Sequence, residues 1–285
     1  MLAIVGTVPD QNFPLTAGKI TLKNNKIFIK DKQIPVNRGT PALMAAAIQT
    51  GKIVGNTELY GFLAGDIGLG NGSRKLYEYL ANHLPGLDFH AIVFHYLQPD
   101  VDWHNRIMFA IWKMKNRPLL IADAGFMYAA KMSGQASEYD LFTPDVGELA
   151  FLADETAPHP FYTRGFILQE ENKAPDLIIR AYKHDNAARY LLVKGQKDYV
   201  ANRQRVLGIV DSPVDAAMEA IGGTGDTLTG LTAALISSKI TIDKAAITAA
   251  HVNRLAGHFA APTPASQITD IIRHIPEALD KILMD

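Results

Sequence analysis

The chain has 285 residues, 48% of them hydrophobic, which is enough to bury one large α/β core. A formal net charge of −1 offers no electrostatic footprint for nucleic acid or for an anionic membrane surface. There is no cysteine, which excludes disulfides, thiolate zinc sites and cysteine nucleophiles and is compatible with a cytoplasmic protein.

The N-terminal stretch Met1-Leu2-Ala3-Ile4-Val5-Gly6 lacks a basic region and soon meets Pro9 and Asp10, so it reads as a strand and not as a signal peptide. No uncharged apolar run approaches the roughly 18 residues that a membrane span needs. Lys19-Ile20-Thr21-Leu22 and Lys26-Ile27-Phe28-Ile29 alternate with period two around Asn24-Asn25, a hairpin signal. Short apolar runs that read as buried strands are Leu2–Val5, Leu59–Leu63, Ala91–Tyr96, Leu119–Ala122 and Tyr190–Val193. Helical periods lie between and after them, at Pro41–Thr50, Arg74–Leu84, Trp103–Lys115, Leu149–Ala153 and Leu177–His184. Two longer helices, Thr227–Ser237 and Lys244–Ala260, follow. Strand–helix alternation implies a mostly parallel sheet with helices on both faces, and ligands in such sheets bind beyond the strands' carboxyl ends. No internal repeat or linker interrupts the pattern, so residues 1–285 are expected to form a single domain. Residues 155–175, with Pro158, Pro160 and Pro175 among charges, read as an irregular insertion.

Several segments carry chemistry. Gly65-Asp66-Ile67-Gly68-Leu69-Gly70-Asn71-Gly72-Ser73 is a glycine-rich loop between a strand and a helix. It is out of register for a dinucleotide fingerprint. It either cradles a phosphate or substrate, or is a long turn with Ser73 as N-cap. Asp145 and Glu148 follow the strand-like Leu141-Phe142-Thr143 and a proline, and their spacing places both near one helical turn. Acids there suit a helix dipole, and hard oxygen donors also suit Mg²⁺. Lys194-Gly195-Gln196-Lys197-Asp198 follows the strand Tyr190–Val193. It either supplies a point charge for phosphate or is a strand-to-strand turn with solvated charge.

The richest segment is Ile221-Gly222-Gly223-Thr224-Gly225-Asp226-Thr227, followed by the apolar helical run Leu228–Ile236. Small residues at a helix start let the backbone approach a phosphate, and the exposed N–H groups and the dipole favour an anion. Asp226 would repel that phosphate unless it has a job, and the natural job is to accept a proton from an attacking hydroxyl. The plainer reading makes Asp226 an ordinary N-cap. His251 and Asn253 share the Lys244–Ala260 helix. His251 and His258 are seven apart without partner ligands, so no transition-metal site is indicated.

The Gly-Gly-Thr-Gly-Asp segment resembles the signature of the ribokinase-like superfamily, in the form used by its NAD(P)H-hydrate dehydratase branch. Phe142-Thr143-Pro144-Asp145-Val146-Gly147-Glu148-Leu149 resembles that branch's Thr-Pro-His-Pro-Gly-Glu segment. Leu192-Val193-Lys194-Gly195 resembles its strand ending in Lys-Gly, and Ala249–Gly257 its histidine-containing helix ending in Ala-Gly. The resemblance runs from residue 118 to the end, while the N-terminal third matches loosely. It implies a three-layer sandwich with a mostly parallel central sheet and a small hairpin near the N-terminus, which either covers substrate or is only a sheet edge.

The same resemblance implies roles. Asp226 is the general base, and Gly223, Thr224 and Gly225 form the anion hole for nucleotide phosphate. Lys194, Gly195, Gln196 and Asn253 border the nucleotide. Asp123, Asp145 and Thr40 are placed on the substrate side, although Asp123 could equally cap the turn after its strand. Glu148 organises Mg²⁺ through water, and ATP or ADP is the donor. Two departures fall in the substrate half. Asp145 and Val146 stand where the branch has histidine and proline. The strand Ala91–Phe94 runs into His95-Tyr96-Leu97-Gln98-Pro99-Asp100 where the branch has a Gly-Pro-Gly-Leu-Gly loop. The loops Gly68–Ser73 and His95–Pro99 are expected to shape the acceptor site. The implied activity is phosphorylation of the hydroxyl of a hydrated nicotinamide ring, then elimination of phosphate to restore NADH or NADPH. A small-molecule kinase for a sugar or vitamin-like alcohol, and a catalytically silent nucleotide-binding protein, remain the alternatives. No nucleic-acid or membrane partner is expected, and a homo-oligomer is left open.

Overall fold

Among the described residues the apolar runs assemble into one eleven-stranded sheet, in order β11-β10-β9-β8-β7-β6-β1-β5-β2-β3-β4. The structure is a computed structural model, and it describes residues 1–55, 58–160 and 174–284. Residues 161–173 of the expected insertion lie outside the described residues. The strands are β1 (Leu2–Val8), β2 (Thr16–Lys23), β3 (Lys26–Ile29), β4 (Lys32–Pro35), β5 (Leu59–Gly65), β6 (Ala91–His95), β7 (Leu119–Ala122), β8 (Leu141–Phe142), β9 (Tyr190–Val193), β10 (Asp198–Asn202) and β11 (Val206–Val210). From β5 through β1, β6, β7 and β8 to β9 every neighbouring pair is parallel. Both edges are antiparallel.

Parallel strands are buried on both faces, which is why they read as unbroken apolar runs. In β1, Leu2 and Ile4 enter one core while Ala3 and Val5 enter the other. The first core is covered by α1 (Thr40–Val54), α7 (Thr224–Ser237), α8 (Ile242–Ala260), α9 (Ile268–Ile272) and α10 (Ile275–Met284). The second is covered by α2 (Asn71–His83), α3 (Val101–Trp112), α4 (Gly125–Met132), α5 (Val146–Ala153) and α6 (Ala174–Lys183). Contact between α1 and α7 is intimate, because a Cβ on Gly230 would stand 2.2 Å from the Leu43 carbonyl oxygen. That packing brings the N-terminal ends of α1 and α7 together beyond the carboxyl end of β6.

The expected hairpin is present, and Asn24 and Asn25 both take positive φ, as a two-residue turn of this hand requires. It continues into a third strand, β4, which the sequence pattern did not show. Ile27, Ile29 and Ile34 are buried in the same core as α1, so the three strands form a packed sheet edge. The strand expected over 91–96 stops at His95, because Tyr96 turns to φ +50°. Among the described residues no helix is long and apolar enough to cross a membrane.

One buried histidine makes the fold pH-sensitive. His104 on α3 is fully buried, with Nε2 2.8 Å from the Tyr139 hydroxyl and Nδ1 3.0 Å from Ser133 Oγ. Burial pushes its pKa down from 6.5 to about 4. The unfolded chain therefore binds more protons than the folded one between those values, so stability rises with pH there and is lost as pH falls through the window. The slope contributed is about 1.4 kcal/mol per pH unit. Thermal melts of wild type between these limits should show a steeper loss than those of His104→Asn. Equal slopes would remove His104 from the effect.

Candidate active site

The site is built at the first turn of α7. Gly223 is its N-cap, at φ +108°, a conformation that disfavours any side chain, and no side chain caps the turn. The first turn of α7 is thus left with backbone N–H groups that no capping side chain takes up. Asp226 does not act as the N-cap. Its carboxylate turns away from its own helix: Oδ2 accepts a hydrogen bond from the Gly39 N–H at 2.6 Å, and Oδ1 lies 3.0 Å from His95 Nε2. Burial works to raise the Asp226 pKa, but the hydrogen bond from His95, the nearby Lys194 and the Gly39 N–H outweigh it and hold the carboxyl below its usual value. The group is ionised, pinned at both oxygens, and about 10% exposed.

Lys194 leaves the end of β9 and reaches the same place. Its Nζ lies 2.9 and 3.0 Å from the two oxygens of Asp123, at the end of β7. A Cβ built on Gly225 would stand 3.5 Å from Lys194 Cδ and 3.6 Å from Nζ, so the ammonium flanks the first turn of α7. The segment is a strand-to-strand turn, as one reading expected, yet the Lys194 side chain is only 14% exposed and is not solvated charge. Burial opposes its charge, while Asp123 and Glu148 prevail and raise its pKa above the ordinary lysine value. Asp123 also accepts from Thr229 Oγ1 at 2.6 Å and from its neighbour's N–H, that of Ala124, at 2.8 Å. It is 2% exposed, and Lys194, Thr229 and the turn hold it. His95 Nε2 is 3.9 Å from Asp123 Oδ2, which joins Asp226, His95, Asp123 and Lys194 into one cluster.

Asp145 and Glu148 form a reciprocal capping box at the start of α5: Glu148 N donates to Asp145 Oδ1 at 2.7 Å, and Asp145 N donates to Glu148 Oε2 at 2.8 Å. Partial burial pushes the Glu148 pKa up to about 8; Asp123 and Asp145 add to this and Lys194 opposes it. Lys194 N donates to the Pro144 carbonyl at 2.8 Å, which fixes the acidic pair beside the lysine. Among the described residues no group of three or more His, Cys, Asp or Glu side chains is arranged to chelate a metal directly.

Other expected residues make hydrogen bonds within the protein. Asn253 on α8 donates to the Thr224 carbonyl at 3.1 Å and accepts from Thr227 Oγ1 at 2.7 Å, so both ends of its amide brace the first turn of α7. The carbonyls of Gly195 and Gln196 both accept from Arg254, each at 2.9 Å. Arg254, which sequence reading passed over, also donates from Nε to Asp198 Oδ2 at 2.7 Å and so ties the β9–β10 turn to α8. Thr40 does not face substrate. It is fully buried behind His95, with Oγ1 3.0 Å from Nδ1. Nor does the Gly65–Ser73 loop cradle a phosphate. Asp66 already accepts from the N–H groups of Gly68, Gly70 and Ser73 and from Ser73 Oγ, so the loop folds around its own anion. Gly70, at φ +79°, and not Ser73, is the N-cap of α2.

The contact between His95 and Asp226 is the main feature missed from sequence. The one available signal was a histidine ending an apolar run that reads as a central parallel strand. The Tyr96 ring stands edge-on to His95 at 4.3 Å, and burial pushes its hydroxyl up to about 12.

Residues 98–277 match the sequence model of the family described as NAD(P)H-hydrate dehydratase. The chain belongs to this family. An uncharacterized protein of Methanocaldococcus jannaschii is 40% identical over 242 residues, which span 85% of the chain and 100% of that relative. A bifunctional NAD(P)H-hydrate repair enzyme of Hyperthermus butylicus is 42% identical over 112 residues, 37% of the chain but only 20% of the longer relative. Among solved structures, a ribokinase-like superfamily protein of Enterococcus faecalis aligns over 99% of the chain and 87% of its own, with a TM-score of 0.62 and 14% identity. An ADP/ATP-dependent NAD(P)H-hydrate dehydratase of Bacillus subtilis, co-crystallised with ATP and Mg²⁺, aligns over 99% and 88% with a TM-score of 0.59 and 12% identity. The fold is ribokinase-like, and this NAD(P)H-hydrate dehydratase family member is an enzyme of that kind. Gly39, Thr40 and His95 all lie outside the matched residues.

Proposed function

We propose that this dehydratase family member transfers the terminal phosphoryl group of ATP or ADP to the hydroxyl of hydrated NADH or NADPH, and that loss of phosphate, with a proton from the adjacent ring carbon, then restores the cofactor. Asp226 carries this reading: an ionised, pinned carboxylate at an uncapped helix N-terminus, with Lys194 beside it. The acceptor's O–H bond breaks and its proton passes to Asp226 while its oxygen bonds to the terminal phosphorus. The bond from that phosphorus to the nucleotide's bridging oxygen breaks, and the shortened nucleotide leaves. The N–H groups of Gly223, Thr224 and Gly225 and the Lys194 ammonium stabilise the charge that develops on the phosphoryl oxygens. The single domain, with the acceptor over Asp145 and the β5 and β6 loops, belongs to the same reading, as does a cytoplasmic setting.

The donor set fits a hydrated Mg²⁺ carried mainly by the phosphates, because direct chelation is not arranged among the described residues. Glu148 would hold it through water, with Oε2 engaged in the capping box and Oε1 left as acceptor. When bound, the ion would neutralise charge between phosphate groups. Glu148→Gln should therefore raise the Mg²⁺ concentration giving half-maximal activity by about tenfold. A titration that superimposes on wild type would reject the role.

A second reading, a kinase for a sugar or vitamin-like alcohol, draws on the exposed Asp145, an acid suited to hydroxyl groups where the family has histidine. Nucleotide turnover should be measured side by side with hydrated NADH and with a panel of alcohols. Stimulation by the hydrated cofactor is the expected result. Stimulation by an alcohol alone would establish the kinase.

A further inference from the structure

We propose that His95 is a positioning residue that aims the Asp226 carboxylate, and that Thr40 fixes the tautomer in which it does so. The inference rests on Asp226 being the base.

His95 ends β6, the strand between β1 and β7, and is fully buried. It cannot touch a substrate. Its ring instead bridges two helices: Nδ1 is 3.0 Å from Thr40 Oγ1 on α1, and Nε2 is 3.0 Å from Asp226 Oδ1 on α7. A carboxylate can only accept, so the proton on this ring sits at Nε2, facing Asp226. The Thr40 hydroxyl then donates to Nδ1 and holds the ring in that form. With the Gly39 N–H on Oδ2, both oxygens of Asp226 are oriented from the N-terminal third of the chain.

The space for this arrangement is built into β1. A Cβ on Gly6 would stand 2.4 Å from Thr40 Oγ1 and 2.7 Å from the His95 carbonyl oxygen, so residue 6 must lack a side chain for Thr40 and His95 to meet. The groups that face His95 are Asp226 from α7, Asp123 at 3.9 Å from the end of β7 with Lys194 paired to it, Thr40 from α1, and the edge of the adjoining Tyr96 ring. Arg38 precedes Gly39 and acts on Tyr96. His95 is also a main cause of the lowered Asp226 pKa. Gly6, Gly39, Thr40 and His95 all lie outside the family match at 98–277.

The test compares His95→Leu with His95→Gln, which keeps a side-chain N–H donor, and Thr40→Val with Thr40→Ser. His95→Leu should lower kcat by about 10²-fold, leave KM for the nucleotide within about threefold, and shift the acid limb of the kcat/KM profile to higher pH. His95→Gln should recover at least about a tenth of wild-type kcat, and Thr40→Ser most of what Thr40→Val loses. Equal losses in the Leu and Gln variants, or an acid limb that does not move in His95→Leu, would overturn the proposal. The Asp226 carboxyl titration, followed by carbon NMR in wild type and Thr40→Val, needs no turnover. An upward shift supports the proposal, and an unchanged titration overturns it, even if hydrated nicotinamide proves not to be the acceptor. Thr40→Val is nearly isosteric and serves if His95→Leu does not fold.

Discussion

Asp226→Asn should lose about 10²–10⁴-fold in turnover while still binding nucleotide, because a positioned base contributes that much and the proposed anion site is backbone. The asparagine keeps the shape but not the charge. It also presents an NH₂ where only donors now converge, from Gly39 N–H and His95 Nε2, so one of these contacts becomes donor against donor. Nucleotide affinity and a thermal melt should therefore accompany the kinetics. Turnover within about threefold of wild type would remove Asp226 from the chemistry.

Lys194→Met should be costly twice over. It removes the cation beside the first turn of α7, and it strands Asp123, which is 2% exposed and takes two contacts from the lysine. Breaking a buried ion pair from one side typically costs about 3–5 kcal/mol, since the remaining charge has lost its partner. The double variant Lys194→Met/Asp123→Asn separates the two effects. It should regain most of the lost stability but little of the lost turnover. Recovery of both would make Lys194 a structural residue only. Retained stability in the single variant would contradict the buried pair.

The parallel strands were legible because burial on both faces writes continuous apolar runs into β1, β5, β6, β7 and β9. The glycine-rich turn was legible because its chemistry is local: Gly223 needs its positive φ and Gly225 its closeness to Lys194 within a few residues of Asp226. α4 was not legible. It starts from Ala124, at φ +51°, without a side-chain cap. β10 and β11 are short, and β11 is mostly half-exposed, which blurs their alternation. The relay to Asp226 was beyond any periodicity, because His95 and Asp226 are 131 residues apart and meet only through the order of strands. Thr40 misled for a related reason. The resemblance placed it on the substrate side, but the close approach of β1 and α1 at Gly6 buries it against His95.

The most direct measurement follows near-ultraviolet absorbance and released phosphate together when the protein meets hydrated NADH, nucleotide and Mg²⁺. Reduced nicotinamide should return, with one phosphate released for each cofactor restored, and both signals should vanish in Asp226→Asn. Nucleotide consumed without return of the absorbance, or absorbance restored without nucleotide, would contradict the proposed reaction.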